Sequence, residues 1–195
     1  MNTLHDIKEH LYQSFPKLRN HIQSVTPLEV LTTSNLKVDE AVLKVVTGQM
    51  LSRKAAETIY QRLRLELINS NCEVSQLSYE AMIKCGLSKR KAKTIIQFSK
   101  EYSKKTSQYE AWRYLEYKEL EAEVSSFWGM SKWTASMLAI FYFANPNVFP
   151  EGDGTLKKAK ALLSESGVIL SIDKAAPYKT YLAIYLWKFI DEKVL

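Results

Sequence analysis

A chain of 195 residues with 46% apolar and 11% aromatic residues can bury the interior of one compact domain or two small lobes, which excludes wholesale disorder. A formal charge of +6 permits a polyanionic partner such as nucleic acid without requiring one. No apolar run approaches the roughly 18–20 residues of a membrane span, and Met1 to Glu9 holds no signal core, so neither a membrane partner nor export is expected and the chain is placed in the cytoplasm. Six Gly and five Pro leave long uninterrupted segments, which favours helices. Leu4, Ile7, Leu11 and Phe15 recur at helical spacing until Pro16 interrupts. Residues 17–38 are mixed, with Pro27 and a loop-like Thr32-Thr33-Ser34-Asn35 cluster. Asp39 is predicted to cap a helix carrying Val42, Val45 and Val46 that stops near Gly48. After Ser52, Ala55, Ile59 and Leu63 form one stripe, with Ala56 and Tyr60 beside it. Gly86 breaks the chain, and Ser88 is a good N-cap for a helix with Ala92, Ile95, Ile96 and Tyr102. Beyond Gly129, Trp133, Met137, Ile140, Phe141 and Ala144 again fall at helical spacing, as do Tyr181, Ile184, Tyr185 and Lys188 after Pro177. No alternating strand and no internal repeat is present. The expected fold class is all-α, with about nine to eleven helices.

The two cysteines, Cys72 and Cys85, are too few for a structural zinc site or an iron–sulfur cluster and read as reduced thiols. His5, His10 and His21 show no metal spacing. The run Lys89, Arg90, Lys91 and Lys93 follows the Ser88 cap. Cations in a first helical turn oppose the macrodipole at about 0.3–1 kcal/mol each, a cost that a facing phosphate offsets; an ordinary solvated lysine face is the alternative. Lys157, Lys158 and Lys160 carry the same two readings. Asp153 either caps a helix beginning near Gly154 or acts as a reactive carboxylate.

Four ordered segments bear on that choice: Val46-Thr47-Gly48-Gln49-Met50-Leu51-Ser52, Cys85-Gly86-Leu87-Ser88 with Lys91-Ala92, Phe127-Trp128-Gly129-Met130-Ser131-Lys132-Trp133-Thr134-Ala135, and Val148-Phe149-Pro150-Glu151-Gly152-Asp153. In order and separation they resemble the helix-hairpin-helix DNA glycosylases, specifically the 3-methyladenine glycosylase II-like branch. Pro177 through Trp187 is similar to that family's closing helix. The hairpin departs from the family pattern in one place, with Ser131 where a second glycine is usual.

The resemblance implies two helical lobes, residues 38–120 forming one and 1–37 with 121–195 the other, with Asp153 at the mouth of a cleft between them. It implies excision of alkylated purines from double-stranded DNA by base flipping, Asp153 stabilising the cationic sugar or orienting water. Met50, together with Gln49, is implied to form the wedge that fills the vacated stack, Met50 supplying the inserted side chain. Trp133 and Trp187, with Met137, line a pocket whose indole faces attract a cationic base. Gly129, Ser131, Lys132 and Thr134 at the hairpin, with Lys89 and Lys91, are implied to hold the DNA backbone. The family's hairpin also holds a monovalent cation on main-chain carbonyls, here those of Ser125, Phe127 and Met130; no other metal and no cofactor is implied. Relatives with lyase activity place a lysine where this chain has Trp133, so a Schiff-base mechanism is not expected. A monomer is expected. Two rivals stand: a glycosylase for another damaged base, and a non-catalytic helix-hairpin-helix module that grips DNA without needing Asp153.

Overall fold

The computed structural model describes residues 3–195 and contains eleven α-helices and no strand among them. In chain order these are α1 (Leu4–Ser14), α2 (Arg19–Ser24), α3 (Val38–Gly48), α4 (Arg53–Ser70), α5 (Tyr79–Lys84), α6 (Lys89–Lys104), α7 (Thr106–Glu110), α8 (Tyr117–Ser125), α9 (Lys132–Phe141), α10 (Gly154–Glu165) and α11 (Lys179–Asp191). The chain is all-α, as its periodicity indicates. None of the described helices is long and apolar enough to cross a membrane. Both cysteines are free thiols.

The contacts group the chain into two units. One comprises the chain up to Thr33 together with Ala144–Leu195, and its core is built from α1, α2, α10 and α11. Ile7 and Leu11 of α1, Ile22 of α2, Leu156 and Leu163 of α10, and Leu182, Leu186 and Phe189 of α11 are all buried in it. The other unit is Ser34–Phe143. Its axis is α3, which buries Val38, Ala41, Val42, Leu43, Val45 and Val46 and packs against α4, α6 and α9. The segment 121–143, expected with the terminal lobe, groups with this unit instead, because α9 packs on α3 and α8.

Two helix boundaries differ from expectation. Asp39 does not cap α3: the N-cap position falls two residues earlier, at Lys37, and the Val38 N–H donates to the Glu110 carboxylate at 2.8 Å. A side chain 72 positions away thus does the capping, while Asp39 is buried and accepts the Glu40 N–H. α9 ends at Phe141 and does not reach Ala144. The Leu138 carbonyl accepts from both Tyr142 and Phe143, and Ala144 turns to φ +54.

Burial raises the Asp39 carboxyl to about 6, against an ordinary 3.8, with the Glu40 and Glu73 charges adding to the rise and the Glu40 N–H and Lys37 opposing it. A raised folded-state pKa means that the cost of ionising Asp39 is fully present above about pH 6 and vanishes below about pH 4. Asp39→Asn removes the cost. Urea unfolding at pH 7 is expected to show the variant more stable by roughly 1–2 kcal/mol, a difference that shrinks toward zero by about pH 4. An equal difference at both pH values assigns the effect to packing.

Candidate functional site

The Ser34–Phe143 unit carries the hairpin between α8 and α9. Phe127 plugs its base into an aromatic cluster, lying edge-on to Phe98 at 5.1 Å and to Trp112 at 5.9 Å. Phe98 itself stacks on Trp112 at 5.4 Å. The hairpin is therefore seated on α6 and on the turn that follows α7. At its tip Gly129 adopts φ +80, and a Cβ there would stand 1.9 Å from Oγ1 of Thr94 on α6. Only glycine meets both conditions without displacement. Ser131, by contrast, sits at φ −144, an extended conformation open to any residue. The serine in place of the second glycine thus brings no backbone strain, and its N–H donates to Thr134 Oγ1 at 3.2 Å.

The remaining hairpin residues divide by exposure. Lys132 is exposed and pairs with Glu121 at 2.8 Å; that hydrogen bond and charge hold its ammonium pKa above the ordinary value. Thr134, expected at the DNA backbone, is fully buried, and its hydroxyl oxygen serves Ser131 and Gln49. Its side chain is structural. The Phe127 carbonyl, one of three implied for a monovalent cation with those of Ser125 and Met130, accepts the Met130 N–H at 3.1 Å. Carbonyl oxygens suit such an ion in chemistry, and the described residues offer no cluster of His, Cys, Asp or Glu for a metal.

The turn between α3 and α4 presents Met50 fully exposed at φ +55. An apolar side chain held out in water on a left-handed backbone is a costly arrangement, about 1–3 kcal/mol for the dihedral alone, and such strain concentrates at functional positions. Gln49 faces inward instead: Nε2 donates to the Gly129 carbonyl and to Thr134 Oγ1, both at 3.1 Å. It joins this turn to the hairpin. Lys91, expected on phosphate, is half-buried and donates to the Thr47 carbonyl at 2.9 Å. Lys89 is exposed in the first turn of α6, and Arg90 lies 5.7 Å from the ring of the exposed Trp128.

Beside this turn lies a cavity of about 530 Å³ whose walls include Tyr60, Trp133, Met137, Phe141 and Tyr142, with Glu57 among its polar groups. Trp133 and Met137, two of the three residues implied for a base pocket, both line it. Tyr60, Phe141 and Tyr142 were not anticipated in that role. No local sequence signal marks them, because the cavity forms only where α3, α4 and α9 pack.

In the other unit, Asp153 is the N-cap of α10. Its Oδ1 accepts the Leu156 N–H and the indole Nε1–H of Trp187 on α11, each at 3.0 Å. Capping and reactivity, taken as rivals from sequence, are thus not exclusive: the cap and the indole fix the carboxylate's orientation. The Trp187 bond spans 34 positions and went unseen in the sequence. Just past the cap, Lys157 and Lys158 are exposed, while Lys160 lies 6.0 Å from the Phe149 ring.

No protein-family model matches the sequence. The chain is 27% identical over 161 residues to DNA-3-methyladenine glycosylase 1 of Schizosaccharomyces pombe, covering 76% of this chain and 71% of that protein. Among solved structures, the S. pombe 3-methyladenine DNA glycosylase in complex with abasic DNA matches with a TM-score of 0.76 at 23% identity, over 95% of this chain and 96% of that one. DNA-3-methyladenine glycosidase from Bacillus halodurans matches at 0.70 with 24% identity, over 96% and 90%. 3-Methyladenine DNA glycosylase from Archaeoglobus fulgidus matches at 0.72 with 21% identity, over 96% and 71%. At that agreement over nearly the whole chain, its fold is the fold of the solved 3-methyladenine DNA glycosylases.

Proposed function

We propose that this chain is a base-excision DNA repair glycosylase that removes alkylated purines by hydrolysis, leaving an abasic site. The observation that carries this reading is Asp153, oriented at the start of α10 by the Leu156 N–H and the Trp187 indole. Breaking an N-glycosidic bond leaves positive charge on the sugar, which an oriented carboxylate stabilises while it positions the attacking water. An alkylated purine already bears positive charge and leaves with little acid assistance, so one carboxylate suffices. The exposed Met50 fills the stack when the nucleotide is extruded. The aromatic cavity at Trp133 and Met137 receives the base, the ring faces favouring a cation by about 0.5–2 kcal/mol each. Trp187 holds Asp153 through its indole N–H.

The backbone of Gly129 and Ser131 and the ammonium groups of Lys132 and Lys89 contact the DNA phosphates, and the Ser125, Phe127 and Met130 carbonyls are the donors that would hold a monovalent cation at the hairpin. The enzyme is monofunctional: Trp133 occupies the lyase position, and the neighbouring Lys132 is exposed and ion-paired with Glu121. It works as a monomer, in the compartment that holds the DNA.

Incubation with dimethyl sulfate-treated duplex, followed by chromatography of the released bases, tests this directly. Free methylated purine is expected, with strands that break only on later alkali treatment. Absence of released base supports the DNA-binding module instead, and strand breakage without alkali overturns the monofunctional mechanism.

A further inference from the structure

The last turn of α3 leaves carbonyls that its own helix cannot satisfy. The Val46 carbonyl accepts from Gln49 N–H at 3.3 Å and the Gly48 carbonyl from Leu51 N–H at 3.2 Å. The Thr47 carbonyl receives its donor from another helix, the ammonium of Lys91 on α6 at 2.9 Å. α3 has no basic residue in its last turn, so this cation also faces the negative end of its dipole. Lys91 is half-buried, and desolvation pulls its pKa down, so the carbonyl bond compensates a real burial cost.

One turn further along α6, Thr94 is the residue on which Gly129 rests. α6 therefore supports both the α3–α4 turn and the hairpin tip, and Gln49 links those two features to each other. Immediately after these two attachments, at Thr47 and Gln49, Met50 stands out on its left-handed backbone. A strained conformation persists only where its surroundings over-determine it.

We propose that Lys91 is a positioning residue for Met50: its ammonium pins the end of α3 so that the thioether is held out for insertion, and it contributes to binding of abasic-site DNA without touching a phosphate. This rests on Met50 acting as the wedge. Lys91→Met keeps the unbranched apolar stem and removes the ammonium; Lys91→Arg keeps a donor. Anisotropy titrations of a duplex bearing an abasic analogue, over a range of salt, compare the parent, Lys91→Met, Lys91→Arg, Met50→Ala and the Lys91→Met/Met50→Ala double variant.

Lys91→Met is expected to weaken binding about tenfold in the parent and hardly at all in the Met50→Ala background, the non-additivity of two residues acting as one. Its log–log salt slope stays that of the parent, whereas Lys89→Gln lowers the slope by about 0.9. Lys91→Arg restores most of the affinity. A slope reduced by about 0.9 in Lys91→Met makes it a phosphate contact, and an equal loss in both backgrounds, or none in either, makes it a general support; each overturns the proposal. If Met50→Ala alone binds like the parent, the wedge reading fails and the proposal with it. If Lys91→Met does not fold, Lys91→Gln, whose shorter donor falls short of the carbonyl, goes through the same cycle with the same expected outcomes.

Discussion

Gly129→Ala is expected to destabilise the protein by roughly 2–6 kcal/mol, a large fraction of the total for a chain of this kind. Two independent costs combine. A φ of +80 puts an alanine in a sparsely populated region, at about 1–3 kcal/mol. The new methyl also falls 1.9 Å from Thr94 Oγ1 and 3.0 Å from Thr94 Cβ and Cγ2. Thr94 is buried and its hydroxyl donates to the Arg90 carbonyl at 3.0 Å, so rotating it away sacrifices a hydrogen bond. Forcing the hairpin outward or Thr94 aside costs a further 1–3 kcal/mol, roughly, by overpacking. Thr94→Ala in the same chain removes Oγ1 and Cγ2 and is expected to return about half of the loss, leaving the dihedral cost. Denaturant unfolding of the two single variants and the double variant measures both parts. A Gly129→Ala protein that unfolds at the parent's midpoint shows that the tip of the hairpin is free to move.

Helical periodicity was enough to read most of the fold, because each signal and its cause lie within one turn. Leu4, Ile7 and Leu11 run along one face of α1, and Ser88 caps α6 by accepting the Lys91 N–H three residues on. What misled the sequence reading was long-range. α3 is capped by Glu110, not Asp39, and no local pattern announces a carboxylate 72 positions downstream. The contact of Lys91 with the Thr47 carbonyl was invisible to both readings of its run, phosphate-facing or solvated, because its partner is a main-chain atom with no residue signature. Thr134 was implied at the DNA backbone by its place in the hairpin motif, whereas its side chain is buried and bonded to Gln49.

The site was legible to the same degree. Met50 and Asp153 could be singled out by their places in motifs, and the structure gives each a definite setting: one fully exposed on a strained turn, the other capping α10 under an indole N–H. The cavity walls at Tyr60 and Tyr142 depend on how helices pack and were not readable residue by residue. Ser131 shows the converse. Its departure from the hairpin pattern costs no backbone strain, because at φ −144 the chain is extended and needs no glycine.

Asp153→Asn carries the largest expected effect on activity. The amide oxygen of Asn can still accept the Leu156 and Trp187 N–H groups, and Asn caps helices about as well as Asp, so α10 is expected to form unchanged. Losing the charge at the helix N-terminus costs about 0.3–1 kcal/mol of stability. Catalysis responds on a different scale: removal of one preorganised electrostatic partner of the developing charge lowers the rate by about 10²–10³-fold, or roughly 3–4 kcal/mol. The decisive measurement is single-turnover release of methylated purine from a treated duplex, with circular dichroism to verify folding. A folded Asp153→Asn protein that still binds abasic DNA and releases base at least about a hundredfold more slowly than the parent is the predicted result; a folded variant within about threefold of the parent rate contradicts it, leaving Asp153 a helix cap and no more.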